Sequence, residues 1–461
     1  MHVDAIIIGT GQAGPPLAAR LAAAGKTVAV IERHLFGGTC VNTGCMPTKT
    51  LVASAYAAHL ARRGADFGVV LDKAPRIDMA RVKARADTVV ANARGGVEKW
   101  VRGLKGCTVI QGQARFEGPD RVRVGGDLIV APQIFINVGG RAFVPPFPGI
   151  QQVSYLTNTS MVALDRVPEH LVVVGGSYVG LEFAQMYRRF GAEVTVVEKG
   201  PHLAPKEDED ISEAIREILV KEGITVRTSA ECITVAPHER GVLVGVSCSE
   251  GEPHVAGSHV LLAVGRQPNT SDLALDKAGV AVDARGYIKV DDSLATNVPG
   301  IWALGDCNGR GAFTHTSYND YEIVAANLLD GEHRRVSERV IGYALYIDPP
   351  LGRVGMTEKE ARASGRKLLV GQRPMTKVGR AIEKGETQGL MKIAVDAESK
   401  KILGAAIFGT GGDEAIHGII DAMNAKVPYT KLEWAVPIHP TVSELIPTLL
   451  EDMKPVPSKS P

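Results

Sequence analysis

The residues richest in chemistry lie in the stretch GGTCVNTGCMPTKT, residues 37–50. Cys40 and Cys45 are separated by four residues and flanked by glycines. Pro47 suits a first helical turn, so a helix is predicted to begin near Met46–Pro47 with Cys45 at its N-terminus. A helix N-terminus lowers a thiol pKa, and a second thiol nearby makes a reversible disulfide possible. No second Cys/His pair completes a tetrahedral set, so the spacing points to redox chemistry rather than a metal. The alternative is a pair of buried, unreactive thiols. The other four cysteines, Cys107, Cys232, Cys248 and Cys307, are scattered, and six in 461 residues make no disulfide scaffold.

Two glycine-rich turns offer a second kind of chemistry. Gly9, Gly11 and Gly14 follow the apolar run VDAIIIG and precede PPLAARLAAAG, an Ala/Leu-rich segment with helical spacing. This is G-x-G-x-x-G between strand and helix. Its first glycine allows the turn, its second lets backbone approach a pyrophosphate, and its third packs helix on strand. The helix N-terminus then faces the phosphates. Glu32 closes the next strand, TVAVIE, where it would accept from an adenosine ribose hydroxyl. The order returns in HLVVVG, GSYVGLEFAQMYRRFG and EVTVVE. Gly9 to Glu32 and Gly175 to Glu198 are both 23 residues, and the offset is 166 residues in both cases. The chain therefore reads as two copies of one nucleotide-binding unit. In the second, Gly175, Gly176 and Gly180 are present but Ser177 takes the middle glycine position. Glu198 favours a free ribose 2′-hydroxyl and hence NADH over NADPH, although Lys199 beside it could tolerate a phosphate.

The elements that must position these groups can be read coarsely. Residues 77–105 are helical and charged, and short β-rich runs with Gly and Asp turns follow from Cys107 to Val138. Residues 225–265 are again β-rich. From about residue 340 the texture changes: RVGMTEKEARASG reads as strand to capped helix, LMKIAVD and ILGAAIFG as strands, and GGDEAIHGIIDAMNA as a helix. The acidic run EDEDISE, residues 207–213, reads as a carboxylate-rich helix start, and the Pro/Ser/Lys-rich tail MKPVPSKSP as frayed.

Composition bounds the function. At roughly 150 residues per domain the length suggests about three domains. There are 52 Lys+Arg against 51 Asp+Glu, a net charge of +1, and 5% aromatics. These argue against a basic or base-stacking nucleic-acid surface. No apolar run approaches a membrane span and no signal peptide precedes AIIIG, so a cytoplasmic chain is expected. The 51 glycines exceed the usual share of about 7%. They imply either many loops or close backbone approach to ligands.

The stretch around Cys40 and Cys45 resembles the redox-active segment of the class I pyridine nucleotide–disulfide oxidoreductases, the family of dihydrolipoamide dehydrogenase, glutathione reductase and mercuric reductase. The resemblance covers essentially the whole chain through GQARFEGP, INVGG, GGSYVGLEFA, LAVGRQPNT, GIWALGDCNG, PPLGRVGMTE and IHPTVSE. FTHTSYNDYEIV with PPLGRVGMTE most resembles the mercuric-reductase-like group that includes the reactive-chlorine-resistance flavoprotein.

The resemblance implies an α/β fold with two Rossmann-like domains, for FAD and for NAD(P)H, and a C-terminal α+β dimerisation domain. The implied boundaries are 1–150 for the first part of the FAD domain, 151–268 for the NAD(P) domain, 269–337 for the second FAD part, and 338–461 for the interface domain. Gly38, Thr39, Ala114, Gly139 and Asp306 would join Gly9, Gly11, Gly14 and Glu32 at FAD, with Asp306 holding the ribitol. Tyr178 and Gly265 would join Gly175, Gly176, Gly180 and Glu198 on the nicotinamide side, with Tyr178 as an aromatic gate over the flavin. Cys45 would lie against the flavin as the charge-transfer thiol, and Cys40 would be the interchange thiol that attacks substrate. Lys49, one helical turn past Cys45, would pair with Glu182 beside the flavin. His439, oriented by Glu444, would move a proton to and from the interchange thiol across a homodimer interface, a role suited to imidazole.

Departures from the family patterns matter too. Pro437 stands where dihydrolipoamide dehydrogenases carry a second histidine. No C-terminal cysteine pair follows Cys307, and His439 occupies a position where mercuric reductases usually have tyrosine. His34, His59, His315 and His417 show no metal-ligand spacing, so no resident metal is expected. The expected activity is an FAD-dependent NAD(P)H oxidoreductase that passes electrons through a Cys40–Cys45 disulfide to a disulfide or metal-ion acceptor. The alternatives are a mercuric or copper(II) reductase, a dihydrolipoamide dehydrogenase, a diaphorase acting directly from the flavin, and a non-enzymatic flavoprotein subunit.

Overall fold

The structure is a computed structural model that describes residues 1–231, 233–246 and 252–456. Cys232 and Cys248 lie outside the described residues.

Apolar runs buried on both faces make parallel strands. Ala5–Ile8 and Val28–Glu32 are buried throughout, and they form the centre of a five-stranded parallel sheet. Its order is 301–303, 133–136, 5–8, 28–32, 107–111, so a strand far along the chain completes the first sheet. A four-stranded parallel sheet repeats the plan in the order 225–227, 193–197, 170–174, 259–262. A short antiparallel pair, Gly140–Ala142 with Arg266–Pro268, lies between the two units.

The two turns share one geometry. Gly9 and Gly175 have φ of +104° and +113°, a region where only glycine is unstrained. A Cβ on Gly14 would stand 2.3 Å from the Gly9 carbonyl oxygen, and one on Gly180 would stand 2.0 Å from that of Gly175. The third glycine of each motif therefore lets helix Gly14–Ala23 or Tyr178–Phe190 seat directly on its turn.

Residues 342–456 build a six-stranded antiparallel sheet in the order 342–345, 351–355, 402–408, 390–396, 368–374, 454–456. Thr357 caps helix Glu358–Ala363 through a reciprocal bond with Glu360, as the sequence predicts. The tail was expected to be frayed; residues 457–461 lie outside the described residues, and the part before them is ordered. Lys454–Val456 pairs with Leu368–Val370 as the outermost strand. Pro455 is tolerated there because an edge strand leaves one side without ladder bonds.

The acidic run opens a helix as expected, Glu209–Lys221, with Glu209 and Asp210 in its first turn. Glu207 and Asp208, however, turn inward. Asp208 accepts from the backbone N–H groups of Glu358 and Lys359, so it caps a different helix 150 residues away. Glu207 is bound by Arg353. Partners this remote leave no local signal.

Candidate active site

A cleft of about 790 Å³ opens along the carboxyl ends of the first sheet. Thirteen of the sequence-predicted residues line it: Gly9, Gly11, Glu32, Gly38, Thr39, Cys40, Cys45, Lys49, Ala114, Gly139, Tyr178, Glu182 and Asp306. Gly14 packs behind the turn. Gly175, Gly176, Gly180, Glu198 and Gly265 lie outside this cleft, and His439 and Glu444 do not reach it within one protomer.

The thiols sit on two consecutive helices. Cys40 lies in the short helix Gly38–Asn42, and Cys45 is the first residue of Cys45–Arg62. That helix starts one residue earlier than the sequence suggests. Both thiols are free. Cys45 is pushed down to about 6, chiefly by a hydrogen bond from Cys40, with Thr314 and the Lys49 charge helping against burial. Cys40 is pushed far up by the Cys45 sulfur beside it and then by burial. Near neutral pH the pair is one thiolate and one thiol. The Thr314 Oγ1 lies 3.2 Å from the Cys45 Sγ and can donate to that thiolate. Thr314 carries no role in the sequence reading, because its contact spans 269 residues.

Lys49 is one turn beyond Cys45 on the same helix face. Its Nζ lies 2.7 Å from the Oε2 of Glu182. Glu182 is itself one turn past Tyr178 in helix Tyr178–Phe190, so both face the cleft. The other carboxylate oxygen of Glu182 accepts from the backbone N–H of Tyr346 at 3.0 Å, and the Lys49 ammonium lies 4.6 Å from the Tyr346 ring centre. Tyr346 is a second residue that sequence reasoning missed.

At the opposite end, Glu32 Oε2 accepts from the N–H and hydroxyl of Thr10, and Oε1 accepts from the His34 N–H. A carboxylate has about four acceptor positions. One is left over on a residue that lines the cleft. In the second unit Glu198 accepts from Gly176 at 2.6 Å and Gly200 at 2.7 Å, tight against its own turn. His439 Nδ1 lies 2.8 Å from Glu444 Oε2. Its side chain is 80% exposed, in a segment whose Trp434, Val436 and Ile438 are also bare.

Comparison with known proteins settles the class. Residues 3–320 match the family model described as pyridine nucleotide-disulphide oxidoreductase, and residues 341–450 match the dimerisation domain of that family. The chain belongs to the pyridine nucleotide-disulphide oxidoreductase family. It is 37% identical to the probable pyridine nucleotide-disulfide oxidoreductase RclA of Escherichia coli, across 98% of this chain and 99% of that protein. It is 34% identical to a dihydrolipoyl dehydrogenase of Thermus scotoductus, across 96% and 95%. Among solved structures it is similar to a Cu(II) complex of the HOCl-induced flavoprotein disulfide reductase RclA from Escherichia coli. That match has a TM-score of 0.89 and 36% identity, covering 98% of this chain and 99% of the other.

As a member of this oxidoreductase family the chain is an FAD-dependent enzyme that uses NAD(P)H. The cleft fits FAD on its own geometry. A Cβ on Gly139 would meet nothing within 4 Å, so the backbone lies bare there, and one on Gly38 would stand 2.8 Å from the Gly11 Cα. Asp306, whose carboxyl burial pushes up against the pull of Arg266, supplies an acceptor in the same cleft as Glu32. Among the described residues no three His, Cys, Asp or Glu side chains converge as a metal site, and no helix is long and apolar enough to cross a membrane.

Proposed function

We propose that Cys40 and Cys45 are the redox centre, and that as a dithiol they reduce a small disulfide presented at Cys40. The observation that carries this reading is geometric: two free thiols on consecutive helices in the cleft, with the Thr314 hydroxyl 3.2 Å from the Cys45 sulfur and Lys49 one turn beyond it. In this arrangement Cys40, then Thr314 and Lys49, favour a thiolate at Cys45. FAD, when bound, would supply the two-electron chemistry that links NAD(P)H to the Cys40–Cys45 pair. Gly9, Gly11, Gly38, Gly139, Glu32 and Asp306 would hold it, and the Lys49–Glu182 pair would set a cation beside its ring system. Gly175, Gly176, Gly180, Glu198 and Gly265 would hold NAD(P)H, with NADH slightly favoured.

The thiol steps follow from the residues. His439 of the partner subunit, its Nδ1 hydrogen turned to Glu444 of that subunit, takes the Cys40 proton at Nε2. The Cys40 sulfur attacks the acceptor disulfide, forming a mixed disulfide and releasing one thiolate, which the imidazolium protonates. The Cys45 thiolate then attacks the Cys40 sulfur, closing the Cys40–Cys45 disulfide and releasing the second thiolate, protonated by solvent. The exposed apolar segment at 434–438 fits the dimer contact that would bring His439 to Cys40. The chain is accordingly proposed as a cytoplasmic homodimer with the domain limits 1–150 and 269–337, 151–268, and 338–461.

A second acceptor, Cu(II), is favoured by the solved Cu(II) complex of the similar flavoprotein and by the softness of two adjacent thiols. Turnover with NADH and NADPH, each crossed with lipoamide, glutathione disulfide, Cu(II) and Hg(II), separates the acceptors. Full turnover in Cys40→Ser with the best acceptor contradicts the dithiol mechanism.

A further inference from the structure

Glu207 is the most heavily satisfied carboxylate near the cleft. Its side chain is wholly buried and accepts four hydrogen bonds. Oε1 takes the phenol hydrogens of Tyr178 at 2.9 Å and Tyr343 at 2.8 Å. Oε2 takes both the Nε of Arg353, at 3.0 Å, and its Nη2. Glu207 and Tyr178 belong to the second nucleotide-binding unit, whereas Tyr343 and Arg353 stand on adjacent strands of the C-terminal sheet. Arg353 is also buried, and Asp208 lies 3.6 Å from it. The rings continue the connection. Tyr178 packs on Tyr343 at 5.3 Å between centres, Tyr343 on Phe313 at 5.5 Å, and Phe313 on His315 at 5.4 Å. Tyr178, Phe313 and His315 all line the cleft. Both phenols are pushed well up, first by burial and then by the Glu207 charge, so both remain donors.

The arrangement is asymmetric in a useful way. If the Tyr178 ring swings out to admit a nicotinamide, Glu207 loses one donor and keeps three. Oε1 still holds the Tyr343 hydroxyl, so no buried acceptor is stranded. The carboxylate stays fixed by the C-terminal sheet and can recapture the phenol.

We propose that Glu207 is a latch for Tyr178, a positioning residue held in place by Tyr343 and Arg353, so that the C-terminal sheet sets how readily the nicotinamide side of the cleft opens. This rests on the reading of Tyr178 as the cover of the nicotinamide approach.

The test is the dissociation constant of NAD+ for the oxidised, FAD-loaded enzyme, measured by calorimetry, with FAD content and thermal midpoint recorded for each variant. Tyr178→Phe keeps the ring and removes the latched hydroxyl, so NAD+ binds about tenfold more tightly. Tyr343→Phe leaves Oε1 unpaired whenever the gate opens, so NAD+ binds about tenfold more weakly. In the double variant Oε1 has no phenol in either state, and the Tyr343→Phe effect disappears. Single variants that stay within about twofold of wild type, or that add independently in the double, overturn the latch. Should a Phe variant fail to retain FAD, Glu207→Gln is measured instead. Its single carbonyl oxygen is drawn to the Arg353 guanidinium, which leaves an amide NH2 and no anionic acceptor facing the two phenols. Tighter NAD+ binding there supports the latch and an unchanged constant overturns it. Tyr178→Ala separates the two readings. If removing the whole ring leaves NAD+ binding unchanged, Tyr178 is not on the nicotinamide path and both readings fall. If it strengthens binding while the Phe variants do nothing, only the latch falls.

Discussion

Thr314→Val makes the thiolate argument quantitative. The substitution keeps the side chain's shape and removes the one hydroxyl placed 3.2 Å from the Cys45 sulfur. A hydrogen bond to a charged group contributes about 1.5–3 kcal/mol, and about 1.4 kcal/mol is one pH unit of titration midpoint. Sulfur is a diffuse acceptor, so the lower end applies and the Cys45 midpoint rises by about one unit, from about 6 toward 7. The sign follows from the depressed acid: the thiolate is present above the midpoint and lost as pH falls through it. The assay is the pH dependence of iodoacetamide alkylation of the dithiol enzyme, with the Cys45 and Cys40 peptides quantified separately by mass spectrometry. Wild type should alkylate at Cys45 with a midpoint near 6, and Cys40 should stay slow across the neutral range. A wild-type Cys45 midpoint near 9, or a Thr314→Val profile that overlays wild type, would show that the Thr314 hydroxyl does not hold Cys45 as a thiolate.

Two further substitutions probe the ends of the site. His439→Ala should slow disulfide turnover by at least about 10², the usual contribution of general acid–base catalysis, while Cu(II) reduction, which needs no such base, stays near wild type. Steady-state rates with the two acceptors check this. Glu32→Ala strands three donors, two on Thr10 and the His34 N–H, at about 1 kcal/mol or more each. Its purified form should carry substoichiometric FAD and melt several degrees lower, read from the visible-to-ultraviolet absorbance ratio and a thermal scan.

What the sequence made legible was whatever is written locally. AIII and HLVVV announce strands because parallel sheets bury both faces, and the two glycine turns declare themselves through repeated spacing. The helix carrying Cys45 and Lys49 is fixed by Gly44, Pro47 and a run of good helix formers. Lys49–Glu182 required knowing how the two units pack, which the family resemblance supplied and periodicity did not. Thr314, Tyr346 and Arg353 act through contacts that span more than a hundred residues, and nothing in their neighbourhoods distinguishes them. The helix start at EDED was legible, but the inward turn of Glu207 and Asp208 was not, because Arg353 and Lys392 are brought against them from far along the chain. The tail strand was missed because Pro455 signals a breaker everywhere except at a sheet edge.

The glycine excess resolves in part. The cleft and the two turns use Gly9, Gly11, Gly38, Gly139 and Gly175 for close backbone approach or positive φ. Many others, such as Gly25 and Gly68, are turn residues that do not line the cleft.

Once the Cys40–Cys45 disulfide is reduced, Cys45 should face bound FAD as a thiolate. Anaerobic titration of the oxidised enzyme with NADH tests it directly. A long-wavelength absorption band should grow with the first equivalent, fade as pH falls through about 6, and be missing in Cys45→Ser. A wild-type enzyme that passes straight to the spectrum of reduced flavin, with no such band at any pH, would mean that no Cys45 thiolate lies against the flavin.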